Sequence, residues 1–351
     1  MRLPPKLLDK IERLMGTVSH QRLRPAVKAL SDRYRRPAGQ AMAIGSDDER
    51  IAYLLVRMPA TFAALSHALW EAKRQLMPPS GSASASENGV AIETALDLGA
   101  GPGTAGWAIS EVFPEMRRLR LIERDVGLIG LGRQLCAASD SPALRQAEWV
   151  RCDLNGQFAE DGFDLVVASY SLGELPPAQY SRCLQQAWQR TRKLLVVVEP
   201  GTRAGFACIH QARSELIGLG ATLLAPCPHR LTCPMAAGGD WCHFAARIER
   251  TAVHRRLKGG ELGHEDEKFS YLASTPLKAF QPANLGLAGN PALQAGLPEH
   301  RIVRHPVYHS GFVELQLCSA EGLSKRVISR SEKAEYRAAR SASWGDPWPL
   351  R

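Results

Sequence analysis

The sequence contains no long hydrophobic run, because no stretch approaches the ~20 consecutive apolar residues that a membrane helix requires. Its first residues, MRLPPKLLDKIERLMG, lack the uninterrupted apolar segment of a secretory signal. Their basic and amphipathic character is compatible with an organellar transit peptide. An internal repeat is also absent. We therefore expect a soluble protein of the cytoplasm or of an organelle, with no membrane partner.

The composition excludes several further classes of protein. Hydrophobic residues make up 45% of the 351 residues and charged residues 23%, which is an ordinary globular mixture rather than that of a disordered or collagen-like chain. Eight cysteines in a chain of this length do not indicate a small disulfide scaffold. In a reducing compartment, a cluster among them indicates a metal or a catalytic thiol.

Positive charge is in excess and is concentrated at one end. Lys and Arg total 44 against 35 Asp and Glu, a net charge of +9, and the first 37 residues hold ten basic and three acidic residues. These 37 residues, which we call the basic arm, are suited to contact with nucleic-acid phosphates. A solvated surface helix is the alternative interpretation. The central cations of the basic arm are Arg22, Arg24, Lys28, Arg33, Arg35 and Arg36.

The chain divides into five segments by composition and periodicity. Residues 1–76 have helical spacing interrupted at Pro59, and residues 77–90, MPPSGSASASENGV, are typical of a flexible linker. Residues 91–220 alternate five apolar strands with helices, which predicts an α/β domain with a parallel, doubly wound sheet. Residues 221–275 form a cysteine-rich and basic insert. Residues 276–351 contain a loop over 282–300, then short antiparallel strands that turn at Ser310-Gly311 and Glu321-Gly322.

A glycine-rich turn, LDLGAGPGT, follows the first of these strands. Gly101, Gly103 and Gly106 also fit the dinucleotide fingerprint, but the loop lacks a phosphate-binding arginine or lysine. Carboxylates near the ends of three strands favour S-adenosylmethionine, and the set resembles the class I methyltransferases, with a turn that binds nothing as the alternative. The predicted cofactor-binding residues are Asp97, Gly99, Gly101, Gly103, Glu123 and Asp153.

Catalytic residues are less clearly marked. The Asn/Asp-Pro-Pro-Tyr motif of nitrogen-methylating enzymes is missing after the fourth strand, where the chain reads SYSLGELPP. Weak candidates there are Tyr170, Ser171 and Glu174, and Glu174 is a general base or, by preference, a helix cap. A Pro-Cys nucleophile does not occur in this domain, and its cysteines are interpreted as small core residues: Cys136, Cys152, Cys183 and Cys208.

Three further cysteines, Cys227, Cys233 and Cys242, lie within sixteen residues, and Cys318 is a candidate fourth ligand. Their spacings are not those of C-x2-C zinc knuckles, and four thiolates are compatible with an iron–sulfur cluster. His229 and His243 keep zinc open, and buried thiols without a metal are the alternative. The basic residues that follow are candidates for RNA binding, or for a solvated face: Arg247, Arg250, Arg255, Arg256 and Lys258.

Several blocks together resemble the mitochondrial small-ribosomal-subunit (Rsm) methyltransferase-like assembly family and its bacterial relatives. They are Met58–Thr61, Leu96–Gly103, Cys227–Cys233, Asp240–Phe244, Lys258-Gly259, Glu265–Tyr271 and Gly311–Cys318. The resemblance implies a class I methyltransferase core with a helical N-terminal extension, a cysteine-rich insert and a C-terminal β element. It also implies a [4Fe–4S] cluster on Cys227, Cys233, Cys242 and Cys318, and association with the small ribosomal subunit during its assembly.

We therefore expect an assembly or translation factor that binds small-subunit rRNA, in the bacterial cytoplasm or, in a eukaryote, in the mitochondrial matrix. One alternative is an active S-adenosylmethionine-dependent rRNA methyltransferase. The other is a non-catalytic, cluster-bearing RNA-binding protein. DNA is not expected as a partner, and no oligomeric state is predicted.

Overall fold

The fold is taken from a computed structural model that describes residues 1–16, 18–33, 44–76, 90–158, 161–259, 261–276 and 298–349. The expected linker over 77–90 lies outside these residues except for Val90. So does most of the expected loop over 282–300. Arg35 and Arg36 of the basic arm are outside them too, as is the side chain of Arg33.

Helices occupy the N-terminal region, as its periodicity predicts. Four α-helices are described there: α1 (Pro5–Met15), α2 (His20–Arg33), α3 (Asp47–Ala52) and α4 (Met58–Leu76). A π-helical turn, Tyr53–Arg57, joins α3 to α4 without a break, so the expected interruption at Pro59 is wrong. The proline lies inside a continuous helix, and the helix changes to the wider π form in the turn just before this residue, which has no N–H to donate. By length and composition alone Asp47–Leu76 is able to cross a membrane, but 83% of its most apolar window is buried inside the protein.

The five expected parallel strands are confirmed. They are β1 (Thr94–Leu98), β2 (Arg118–Glu123), β3 (Glu148–Arg151), β4 (Phe163–Ser169) and β5 (Thr191–Pro200). The intervening helices are α5 (Thr104–Val112), α6 (Val126–Cys136), α7 (Pro142–Arg145), α8 (Pro177–Gln189) and α9 (Arg203–Gly218). The strands are ordered β3-β2-β1-β4-β5, and alternate side chains pack on two apolar layers, one of which includes α4 and the other α8 and α9.

Residues 221–275 differ from the expected insert, because three strands of the same sheet lie there: β6 (Thr222–Ala225), β7 (Phe244–Glu249) and β8 (His264–Thr275). β8 lies antiparallel between β5 and β6, while β7 pairs with the first half of β8. The first half of β8 is charged and its second half is buried. The strand therefore lacks the regular alternation of buried and exposed residues that would mark it in the sequence. With β8 in this place the sheet has the strand order of the expected class I methyltransferase fold. The short helix α10 (Ala252–Lys258) joins β7 to β8.

The C-terminal residues form a second, antiparallel sheet, and both expected turns are confirmed. The sheet contains β9 (His300–Ile302), β10 (Val307–Tyr308), β11 (Phe312–Ser319), β12 (Gly322–Ser329) and β13 (Pro347–Trp348). The order is β10-β11-β9-β13, with β12 paired to β11. Helix α11 (Lys333–Ser341) packs on β11 and β12 and closes a small core of its own.

A buried ion pair connects this second sheet to the rest of the protein. Arg301 on β9 is 1% exposed, and its Nη1 lies 3.0 Å from the Glu71 carboxylate of α4. The same guanidinium donates to the carbonyls of Pro226, at 2.9 Å, and Gly345, at 2.8 Å. Four separate segments of the chain therefore meet at Arg301.

Because removing one partner of a buried pair leaves an uncompensated charge, we expect Glu71→Gln to lower the free energy of unfolding by about 3–5 kcal/mol. Urea unfolding followed by tryptophan fluorescence measures this change. The control Asp9→Ala removes the exposed Asp9–Arg13 pair and is expected to cost about 0.5 kcal/mol or less. Equal losses of stability in the two variants would contradict a special role for the buried pair.

Candidate cofactor and metal sites

The glycine-rich turn connects β1 to α5 and has the geometry that its sequence requires. Gly99, Gly101 and Gly103 all have positive φ angles, of 73°, 55° and 84°. A Cβ on Gly99 would lie 2.5 Å from the Cβ of Ser171, so this position has no room for a side chain. The turn therefore brings bare backbone to the carboxyl ends of the parallel strands.

A cavity of about 300 Å³ opens beside this turn, at the end of the sheet where ligands of doubly wound folds bind. Four of the six predicted cofactor residues line it, namely Gly99, Gly101, Glu123 and Asp153. Tyr53 of the π-helical turn also lines it, although the sequence indicates a separate helical region for the N-terminal residues and gives no signal for this contact.

Glu123 at the end of β2 fixes the shape of the turn. One carboxylate oxygen accepts the Gly101 N–H at 2.8 Å, and the other accepts the N–H groups of Arg124 and Asp125, each at 2.8 Å. The oxygen that accepts only the Gly101 N–H has a second lone-pair direction that can accept a hydrogen bond from a ligand hydroxyl. Asp153 is more exposed, and its Oδ1 accepts the N–H of Asn155 at 3.0 Å.

Asp97 and Gly103 lie behind the turn and do not line the cavity. Asp97 is 1% exposed, and burial, with a smaller contribution from Glu123, raises the pKa of its carboxyl to about 8. Its Oδ2 has no hydrogen-bond partner among the described residues. Gly103 lies against the ring of Trp149. The shift in pKa favours the protonated form of the buried Asp97 carboxyl at neutral pH.

The three weak catalytic candidates all line the cavity. The Tyr170 hydroxyl donates to Glu267 of β8 at 3.2 Å, and the Ser171 hydroxyl donates to the Leu98 carbonyl at 2.7 Å. Glu174 ends a short 3-10 helix, and the preferred interpretation of it as a helix cap is wrong, because Pro176 is the N-cap of α8. Tyr170 and Ser171 therefore already hold structural hydrogen bonds.

The π-helical turn reaches the same side of the cavity. Arg57 is buried there and forms an ion pair with Glu267 at 3.1 Å. Because Tyr170 donates to the same carboxylate, Glu267 joins the N-terminal helices, the loop after β4 and the start of β8. The run Glu265–Lys268 has the composition of an acidic surface turn that pairs with the nearby arginines. Glu265 and Asp266 do form such pairs, but the run is part of strand β8 and the Glu267 carboxylate is largely buried.

The structure also brings together the four cysteines of the second candidate site. Cys227, Cys233 and Cys242 belong to the loop between β6 and β7, and Cys318 is on β11 of the other sheet. All four line one apolar cavity of about 40 Å³. The four cysteines of residues 91–220 do not line this cavity. Cys136 and Cys183 are buried, and Cys152 and Cys208 are partly exposed.

This cavity favours neutral thiols as it stands. Burial, and then the neighbouring Cys227 and Cys233, raise the pKa of the Cys318 thiol to about 12, and the pKa of Cys242 is raised well above its usual value for the same reasons. As placed, no three His, Cys, Asp or Glu side chains of the described ranges form a set able to hold a metal ion. The cysteines thus share a cavity without forming a closed ligand set.

The two histidines that are candidate zinc ligands, His229 and His243, have different surroundings. His229 lines the cysteine cavity, and its Nε2 lies 3.8 Å from the sulfur of Cys318. Burial and the nearby Arg213 lower the pKa of His229 to about 4, so its ring is neutral. His243 does not line the cavity, and its ring stacks on Trp241 at a centroid distance of 5.1 Å.

Three of the five predicted RNA-binding cations are engaged in ion pairs between β7, α10 and β8. Arg247 pairs with Asp266 at 2.8 Å, while Arg250, at 2.9 Å, and Lys258, at 2.5 Å, share Glu265. The remaining two, Arg255 and Arg256, are exposed on α10.

Helix α10 packs against α2, which carries the described part of the basic arm. Arg24 and Lys28 are exposed on α2, whereas Arg22 pairs with Asp48 at 2.7 Å. The basic arm and the basic segment after the cysteines, more than 200 residues apart in the chain, therefore meet. We call Arg24, Lys28, Arg255 and Arg256 the α2–α10 surface; none of the four forms an ion pair in the part of the chain that the structure describes.

Comparison with proteins of known sequence gives matches over most of the chain. The human mitochondrial ribosome assembly protein METTL17 is 26% identical over 327 residues, covering 86% of this chain and 62% of that protein. The mitochondrial Rsm22-cox11 tandem protein 2 of Schizosaccharomyces pombe is 25% identical over 346 residues, covering 87% of this chain and 44% of that protein. The chain thus spans less than two thirds of the length of these relatives.

Solved structures with similar folds include methyltransferases of low sequence identity. Magnesium protoporphyrin IX methyltransferase from Synechocystis PCC 6803 with bound S-adenosylmethionine is 12% identical, with a TM-score of 0.38, over 78% of this chain and 97% of that one. The N-methyltransferase NodS from Bradyrhizobium japonicum is 15% identical, with a TM-score of 0.34, over 53% of this chain and 86% of that one.

The sequence pattern of one protein family, described as mitochondrial small ribosomal subunit Rsm22, matches residues 47–349. This match begins at the first residue of α3 and runs through both sheets to the C-terminal strand. It includes the glycine-rich turn and all four cysteines of the shared cavity. The chain belongs to the mitochondrial small ribosomal subunit Rsm22 family.

Proposed function

We propose that this protein is an assembly factor of the small ribosomal subunit that binds its rRNA. In this proposal the cavity at the glycine-rich turn takes S-adenosylmethionine, and the cysteine cavity takes a [4Fe–4S] cluster. The observation that carries it is the convergence of four cysteines, from one loop and a distant strand, on a single cavity in a member of this family. The name of the human relative as a ribosome assembly protein supports the cellular role.

The cavity at the glycine-rich turn suits S-adenosylmethionine in size and charge. Its volume of about 300 Å³ is at the lower end of the usual range for small-ligand pockets. The carboxylate of Glu123 can accept a hydrogen bond from a ribose hydroxyl, and that of Asp153 can accept one from the adenine amino group. Asp97 does not line this cavity, so no direct contact with the ligand is proposed for it.

The cysteine cavity offers a cluster four thiols in an apolar environment. Binding requires the thiols to lose their protons and to adopt a ligand geometry that they do not have as placed, so metal binding and local folding are coupled. Since Cys318 comes from β11 and the others come from the β6–β7 loop, such a cluster would link the two sheets. Zinc is the alternative, because His229 also lines the cavity.

Binding of rRNA is assigned to the α2–α10 surface rather than to the whole predicted set. Arg247, Arg250 and Lys258 already face carboxylates, so their charges are partly neutralised. The exposed cations of α2 and α10 can instead contact phosphates and release counterions.

Methyl transfer to rRNA is the second candidate function, and the observation in its favour is that Tyr170, Ser171 and Glu174 line the cavity. The third is a non-catalytic RNA-binding protein. Comparing small-subunit rRNA from cells with the wild-type chain or Gly101→Arg separates them. A methyl group missing only in the variant identifies an enzyme, and identical methylation identifies a binding role.

The proposed location follows the relatives. The three curated relatives are mitochondrial by name, so the mitochondrial matrix is proposed for a eukaryotic source. The expected cytoplasmic location receives no support from them.

Filling the cavity at the glycine-rich turn should prevent binding of S-adenosylmethionine. We expect Gly101→Arg to weaken binding at least about tenfold, or about 1.4 kcal/mol, because residue 101 lines the cavity and its φ is positive. Isothermal titration calorimetry measures this. The matched control is Gly218→Arg, at an exposed helical glycine with no atom within 4 Å of an added Cβ, and it should bind like the wild type. A folded wild-type chain that gives no binding heat would contradict the proposed site.

Anaerobically purified protein should be brown and contain about four irons and four sulfides per chain. Cys318→Ser should lose the cluster because it removes the ligand from the second sheet. Cys152→Ser should keep it, since this cysteine lines the other cavity. Iron and sulfide analysis with absorption spectra makes the comparison. A colourless wild-type chain with one equivalent of zinc would overturn the cluster.

The double variant Arg255→Ala/Arg256→Ala should bind small-subunit rRNA less tightly and with a shallower dependence on salt. The slope of log K against log salt should fall in magnitude by about 0.7–0.9 for each phosphate that is no longer neutralised. Lys333→Ala/Arg337→Ala removes equal charge from exposed positions on α11 and serves as control. Equal slopes in both double variants would dismiss the α2–α10 surface.

A further inference from the structure

Arg213 on α9 is a buried cation that has no carboxylate partner in the part of the chain that the structure describes. Its side chain is 5% exposed, and its Nη2 donates to the carbonyls of His229, at 2.9 Å, and Leu231, at 2.7 Å. The Nε of the same guanidinium has no hydrogen-bond partner, and Arg213 forms no ion pair within the described ranges.

The other two buried arginines among the described residues each have the carboxylate partner that Arg213 lacks there. Arg57 has Glu267 at 3.1 Å and Arg301 has Glu71 at 3.0 Å. An ionised group that is buried without a counter-charge is strongly unfavourable, and a guanidinium does not escape the cost by losing its proton. A negative charge close to Arg213 would remove this imbalance.

The cysteine cavity is where that charge can arise. Arg213 lines it together with Cys227, Cys233, Cys242 and Cys318. When all four thiols become thiolates on a [4Fe–4S] core in its oxidised state, the whole centre is a dianion, and a zinc ion with four thiolates has the same charge. With neutral thiols, by contrast, nothing on the described cavity wall compensates Arg213.

We propose that Arg213 is the charge partner of an anionic, four-thiolate metal centre and sets its electrochemical properties. This inference rests on the proposed cluster and adds a role that the ligand set does not specify. Arg213 also holds the carbonyls of the Cys227–Cys233 loop, so it positions two ligands as well as supplying charge. Arg301 lines the same cavity, but its charge is already shared with Glu71.

A nearby positive charge stabilises the reduced centre more than the oxidised one, because the reduced centre is more negative. Removing the charge of Arg213 should therefore lower the midpoint reduction potential. A residue that merely shapes the loop would not shift the potential in this charge-dependent way.

The test compares the full-length wild-type chain with Arg213→Gln, Arg213→Lys and Arg182→Gln, all purified anaerobically. Arg182→Gln is the control, since it removes one positive charge from an exposed position on α8. Iron and sulfide content, circular dichroism and the midpoint potential are measured for each. We expect Arg213→Gln to have a lower potential, while Arg213→Lys and Arg182→Gln stay at the wild-type value.

An iron-loaded Arg213→Gln variant with the wild-type potential would overturn the inference and leave the cluster intact. If Arg213→Gln does not fold or does not bind iron, the result for Arg213→Lys tests the inference. Iron content and a potential equal to those of the wild type support it, and an absence of iron or a shifted potential overturns it.

If the wild-type chain holds zinc, the cluster proposal fails, and the inference is tested by the rate of zinc release to a chelator. Faster release from Arg213→Gln than from Arg213→Lys supports the inference. Equal release rates overturn it. A wild-type chain without metal contradicts both proposals.

Discussion

The structure depends on how its second sheet is held against the first. Charged and polar groups from distant parts of the chain meet at that junction. There the guanidinium of Arg301 on β9 pairs with the Glu71 carboxylate of α4 and donates to the carbonyl of Pro226. One residue after Pro226 comes the first cysteine of the shared cavity, and Cys318 comes from the strand that pairs with β9. An ion pair alone is a weak source of net stability, because desolvation offsets its Coulomb energy. A metal centre at the same junction would add a bond network that the ion pair cannot supply.

The two candidate sites share strand β8, and this gives the molecule a physical connection between them. Glu267 at its charged end holds Arg57 and the hydroxyl of Tyr170 beside the glycine-rich turn. A few residues on, the Ser270 hydroxyl donates to the carbonyl of Cys242 at 2.8 Å, and Tyr271 lines the cysteine cavity. The block EDEKFSY, which contributes to the family resemblance, therefore contacts both sites within one strand.

Local patterns in the sequence were sufficient to predict the parallel strands, the glycine-rich turn and the grouping of the cysteines. Each of these features is marked by a few neighbouring residues in the sequence. Apolar runs mark the strands, glycines that permit positive φ mark the turn, and closely spaced cysteines mark the thiol cluster. Strand β8 was missed as part of the sheet because half of it is charged and pairs with β7. Arg213 and the meeting of α2 with α10 were missed because they depend on contacts between distant segments, for which a single sequence has no local signal.

The central claim is that one inorganic centre joins thiolates from the β6–β7 loop and from β11. Diffraction data collected at the iron absorption edge, from crystals of the anaerobically purified chain, test it most directly. The account predicts one compact anomalous peak bounded by the sulfurs of Cys227, Cys233, Cys242 and Cys318. An ordered structure without iron between these sulfurs, or with Cys318 turned away from an iron bound by the other three, would contradict it.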